Sequence, residues 1–117
     1  MNFTLFLTFQ DVHQGLIGPY VDSPETDNRV EYYHLSGEWD DVDLFYDDLS
    51  VIDNKCNALL DYGEADYFDA SKCILLKSWI EERLTQEIVP RYKELLEVLY
   101  DFCTRAIELG TGVMIDL

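Results

Sequence analysis

"PRYKELLEVLYDFCTRAIELGTGVMIDL", residues 90–117, changes its apolar period partway along, and that change decides the fold. From Pro90 onward, Tyr92, Leu95, Leu96, Leu99, Phe102, Cys103, Ala106 and Ile107 keep the spacing of a helix that buries one face, as far as Gly110. Pro90 fits either the first position of that helix or a kink in a longer one, and Gly110 fits its stop. Beyond it Val113, Ile115 and Leu117 alternate with other residues, which is the period of a strand. A long one-faced helix that hands the chain straight to a strand needs a sheet to lie on.

The other end of the chain supplies the neighbour. In "NFTLFLTFQ" (2–10), Phe3, Leu5, Leu7 and Phe9 alternate with Thr4, Phe6 and Thr8, a strand pattern whose natural partner is the C-terminal strand. A second strand is expected in "RVEYYHLS" (29–36). Between them "GLIGPYVDSPETDN" (15–28) carries the Gly, Pro, Asp and Asn of a loop, with room for a short strand over 16–21.

Two further helices are expected between the strands. In "DYFDASKCILLKSWIEERL" (66–84), Asp69 suits an N-cap, and Phe68 before it can staple onto Cys73. Cys73, Leu76, Ile80 and Leu84 then line one face, with Trp79 beside them. Over residues 40–61, Val42, Phe45, Leu49, Ile52, Cys56, Leu59 and Leu60 share one helical face, opposite Asp40, Asp43, Asp47, Asn54 and Asp61. Asp40 is the expected N-cap and Gly63 the expected stop. Asp41 and Asp43 would sit in the first turn, where the macrodipole favours each by roughly 0.3–1 kcal/mol. The order strands, helix, helix, long helix, strand predicts one α/β or α+β domain over residues 1–117. Its small sheet includes the N- and C-terminal strands and is packed by about three helices.

Charge is the outlying quantity, because 24 acids against 8 bases leave a net −16. Residues 1–70 hold 16 of the acids and only Arg29 and Lys55 as bases. Such a field repels nucleic acid and anionic membranes and steers basic partners inward. With 48% hydrophobic residues the chain has material for a core, so the charge does not signal disorder. No run approaches the roughly 20 apolar residues of a membrane span. The apolar N-terminus lacks the basic flank of a leader, so the chain reads as cytosolic.

Motifs for chemistry are absent. Cys56, Cys73 and Cys103 are widely spaced, form no CxxC pair and fall on apolar helix stripes, as small core hydrophobes do. His13 and His34 belong to no local catalytic pattern. A calcium loop started at Asp41 meets Phe45 at position 5, Tyr46 where glycine belongs and Ile52 where glutamate belongs; one started at Asp61 meets Gly63 and Ala65 at ligand positions. Glu38, Asp41 and Glu64 offer carboxylates for acid–base work, but nothing separates them from the rest. The Gly-Thr-Gly at 110–112 follows a helix, so it is a helix stop and not a phosphate cradle. The expectation is a protein that is not an enzyme and holds no cofactor or metal.

What remains is a surface. "GEWDDVDLFYDDLS" (37–50) places six carboxylates in the eleven residues from Glu38 to Asp48 and interleaves them with apolar groups. Leu44 and Val51 project between the acids on the face away from the core, and Tyr46 lies at its flank, the composition either of an interaction patch or of a surface covered by a second core layer. The expected partner-binding set is Tyr32, Tyr33, Glu38, Trp39, Asp40, Asp43, Leu44, Tyr46, Asp47 and Asp48. In it the carboxylates speed encounter with a basic protein and the aromatic groups hold the complex. A second reading has Asp40, Asp43 and Asp47, one turn apart at about 5–6 Å, imitate DNA phosphates toward a nucleic-acid-binding protein. A third is a subunit or scaffold whose acidic face is only solvated.

The short, strongly acidic α/β character of the chain, together with its helix-strand ending "LLEVLYDFCTRAIELGTGVMIDL", resembles the immunity proteins of bacterial toxin–immunity systems. That resemblance implies a stoichiometric inhibitor that occludes the active site of a nuclease-like toxin. It is one of general character, and it assigns no residue a role.

Overall fold

The structure, a computed structural model, describes residues 1–35, 39–61 and 63–117, and the side chains of all these except 39–42. Four strands, β1 (Asn2–Phe6), β4 (Val30–His34), β5 (Ala65–Asp69) and β6 (Gly112–Asp116), form one antiparallel sheet in the order β4-β1-β6-β5. Two short strands, β2 (His13–Gln14) and β3 (Pro19–Tyr20), make a separate hairpin. The helices among the described residues are α1 (Trp39–Tyr46), α2 (Leu49–Cys56), α3 (Ala70–Arg83) and α4 (Pro90–Leu109). This is an α+β fold, and the central pair β1–β6 joins the two ends of the chain as their alternation predicts.

Period-two alternation gives the sheet two unlike faces. Phe3, Leu5, Phe68, Val113 and Ile115 point into the main core, where Cys73, Leu76 and Ile80 of α3 and Leu95, Leu96, Leu99 and Phe102 of α4 meet them. Phe6 and Val30 point the other way and, with Val21, form a smaller cluster beneath the segment that carries the hairpin. Thr111, at the turn from α4 into β6, donates its hydroxyl to the Phe6 carbonyl (2.5 Å). Gly112 follows because a Cβ there would collide with the Tyr67 ring and the Phe68 carbonyl.

The long helix behaves as its sequence requires. Pro90 opens α4, and Gly110 closes it in the left-handed region (φ 68°). At α3 the Asp69 carboxylate accepts the Lys72 N–H (2.9 Å) as N-cap. Phe68 and Cys73 are both fully buried, and the Cys73 thiol donates to the Phe68 carbonyl (3.4 Å). All three cysteines are free and buried.

Several expectations are corrected. β1 ends at Phe6, not Phe9, because the chain turns there: the Val12 N–H reaches the Phe9 carbonyl, Asp11 takes a positive φ (57°), and Phe9 is exposed. The single helix over 40–61 is two helices. It breaks at Asp47–Asp48, where the Asp48 carboxylate is drawn to Arg83 Nε (3.0 Å) and the Tyr92 hydroxyl (2.6 Å). Its stop is Asn57 in the left-handed region (φ 53°), not Gly63, and Asp40 lies inside the first turn of α1 instead of capping it. Past Asn57 the chain is no longer helical, and Ala58 and Leu60 are buried while Leu59 is 79% exposed. Asp66 accepts the Leu59 N–H (2.9 Å) and Asp53 accepts the Leu60 N–H (2.8 Å), which fixes that course. Finally, the residues ahead of Asp69 form the edge strand β5, which the helix pattern did not reveal.

Candidate protein-binding surface

The expected partner-binding residues separate into three groups. Asp43 and Tyr46 on α1, and Asp47 just past its end, are exposed, Tyr46 to 64%. Leu44 beside them is half-buried and packs on the main core, so it is part of the second core layer. The neighbouring Phe45 sets the orientation of this helix, meeting Phe3 edge-on (6.4 Å) and Tyr92 edge-on (5.1 Å). Val51 on α2 is exposed. Trp39 and Asp40 are placed by backbone alone in α1, and Glu38 lies outside the described residues.

Asp48 is held by the chain itself. It is largely buried between Arg83 and Tyr92, whose guanidinium and ring also stack at 5.6 Å. Burial, and then the hydrogen bond to Asp48, raise the Tyr92 hydroxyl pKa far above its ordinary range. This trio clamps the α1–α2 junction onto α3 and α4.

Tyr32 and Tyr33 point to opposite faces of β4. Tyr33 stacks on Phe3 (5.9 Å) on the helix side, and Tyr32 stacks on His34 (6.2 Å) on the other. Burial raises the Tyr32 pKa, and nearby Glu25 and Asp116 add to the shift. His34 is further held against the side chain of Asn2.

Both tyrosines nevertheless border one groove, which lies between the β4 edge and α4 and measures about 410 Å³. Its walls are Glu31 on the strand and Glu94, Glu97 and Asp101 on the helix; Val98 and Phe102 complete its apolar floor with the tyrosines. Among the described residues, no basic one lines it. Arg105 sits below, bridging Glu31 (2.5 Å) and Asp101 (3.5 Å) and thereby fixing strand to helix. Arg91 and Lys93 reach Glu94 (3.5 Å) and Glu97 (4.0 Å) in exposed pairs along the helix. Such pairs contribute only about 0.3–0.5 kcal/mol, so an incoming cation can replace them at little cost.

Sequence reasoning missed the three helical acids because it weighed charge density, which falls in the first 70 residues. The readable signal was spacing: Glu94, Glu97, Val98 and Asp101 sit at i, i+3, i+4 and i+7, one stripe of α4 beside the buried one. It also missed the tip of the β2–β3 hairpin, where Leu16 and Ile17 stand exposed between Gly15 and Gly18.

The groove has the composition of a binding surface. Among the described residues no group of three or more His, Cys, Asp or Glu side chains is arranged to hold a metal ion. None of the described helices is long and apolar enough to cross a membrane. Comparison with protein-family models, with curated proteins and with solved structures finds no match, so the reading rests on the geometry of this chain.

Proposed function

We propose that the chain binds a basic protein and blocks it, acting without chemistry of its own as a cytoplasmic immunity protein does toward a nuclease-like bacterial toxin. The groove between β4 and α4 is the observation that carries this reading. It sets four carboxylates around two tyrosines and a valine, so a cation meets charge at the rim and an apolar floor beneath. The exposed Asp43, Tyr46 and Asp47 extend the acidic surface from α1, which packs on the first turn of the same α4 through Phe45 and Tyr92. With a net −16, the field of the whole molecule steers cationic partners toward it. Mimicry of DNA has less support, because the row through Asp43 and Asp47 ends at the break between α1 and α2.

The test is co-expression with the polypeptide encoded beside this chain, followed by purification at low and moderate salt. A one-to-one complex that forms more slowly as salt rises, and that silences the neighbour's activity, is the expected result. A neighbour that stays active in the complex, or a complex indifferent to salt, would contradict the reading.

A further inference from the structure

The edge of β4 carries more information than its charge. In an antiparallel ladder, residues alternate between bonding to the neighbouring strand and pointing their N–H and C=O away from it. Leu7 donates its N–H to Arg29 O (2.9 Å) and Leu35 donates to Met1 O (3.1 Å), which sets the phase. Arg29, Glu31, Tyr33 and Leu35 therefore face β1, while Val30, Tyr32 and His34 face outward. Val30 spends its N–H on the Asp27 carbonyl (3.4 Å). Among the described residues, no backbone group takes the outward N–H and C=O of Tyr32 and His34. Tyr32 lines the acidic groove, and His34 continues the same open edge beside it.

We propose that this groove is a strand-docking site, in which an extended basic segment of the partner pairs with β4 and lengthens the sheet. The inference rests on the basic-partner reading above and supplies its mode. An added strand would offer N–H and C=O groups to Tyr32 and His34 and send alternate side chains toward α4. There Asp101 lies seven residues beyond Glu94, so the stripe is about 10 Å long at ~1.5 Å of rise each. Alternate residues of a strand stand about 6.6–6.8 Å apart, so two successive helix-facing side chains fit within the stripe. The occupant is thus a segment of the form basic–x–basic, its cations on Glu94, Glu97 and Asp101 and their stems on Val98 and Tyr33. A second copy of the chain is a poor occupant, because pairing β4 with itself would bring two molecules of net −16 together at their acidic grooves.

The probe is a capped hexapeptide alternating Lys or Arg with Val, beside two versions N-methylated either at every basic residue or at every valine. One alternate set of amides faces β4 and the other faces solvent. Methylation of the facing set is expected to weaken binding about tenfold or more, at roughly 1 kcal/mol per lost hydrogen bond, and methylation of the other set to change it by less than about threefold. The parent peptide is expected to protect the Tyr32 and His34 amides from exchange. Equal binding of all three peptides with those amides unprotected overturns strand docking. If Glu94→Gln with Glu97→Gln still weakens that binding, the basic-partner reading survives the loss. No binding of the parent peptide at low salt overturns the proposal, and so does a dimer whose Tyr32 and His34 amides are already protected without peptide.

Discussion

Asp48 shows how one side chain can decide a local architecture. It accepts from Arg83 Nε and from the Tyr92 hydroxyl in a largely buried setting, so removing it leaves two donors without their acceptor. Asp48→Ala is expected to cost about 1.5–3 kcal/mol in urea denaturation, the range for hydrogen bonds to a charged group. The same trio predicts behaviour in alkali. The folded Tyr92 pKa is raised above its unfolded value, so the stabilisation is fully present below the unfolded pKa of about 10 and is lost as pH climbs beyond it. Tyr92→Phe should flatten the fall in stability above that pH. Asp27 has the opposite sign. Hydrogen bonds from the Arg29 guanidinium and backbone N–H hold its carboxyl down to about 2, so its contribution is present above the unfolded value near 3.9 and fades as pH falls toward 2. Denaturation of Asp27→Asn between about pH 4 and pH 2 should show a shallower acid loss than the parent.

At the scale of elements, what was legible in the sequence was local. The Pro90–Gly110 helix, the Asp69 cap and the pairing of the chain ends all follow from periodicity and cap chemistry within short windows. The break between α1 and α2 was not legible, because apolar residues keep helical spacing across it. It is decided by Arg83 and Tyr92, 35 and 44 residues further along the chain. Strand β5 escaped for another reason: Asp66 and Asp69 give it the look of a helix entry, and only its pairing with β6 makes it a strand. The altered course past Asn57 is checkable side by side. Leu59→Ser should stay within about 0.5 kcal/mol of the parent, whereas Leu60→Ala should cost about 2–5 kcal/mol. A continuous helix with both leucines on its apolar face would make the two costs alike. Truncating the cap, as Asp69→Ala, should cost about 1 kcal/mol by the same measurement.

Over the whole molecule, Asp43 and Asp47 are exposed, but the acidic surface is not confined to them. The groove joins a strand near residue 31 to a helix near residue 97, and no reading of either segment alone brings Glu31 onto Asp101 through Arg105. The uneven charge of the chain pointed to the first 70 residues, while three of the four groove carboxylates come from the other part. The two regions should act differently. Asp43→Asn with Asp47→Asn, at the periphery, is expected to slow association of a basic partner and leave dissociation nearly unchanged. Glu94→Gln with Glu97→Gln, inside the groove, should speed dissociation as well.

The most direct measurement is the dissociation constant of the Lys/Arg–Val hexapeptide across a range of salt, for the parent protein and for Glu94→Gln with Glu97→Gln. A basic segment seated on α4 predicts binding that the double substitution weakens about five- to tenfold at low salt, with a shallower salt dependence, so that the two curves converge as salt rises. Curves that coincide at every salt concentration would contradict the account.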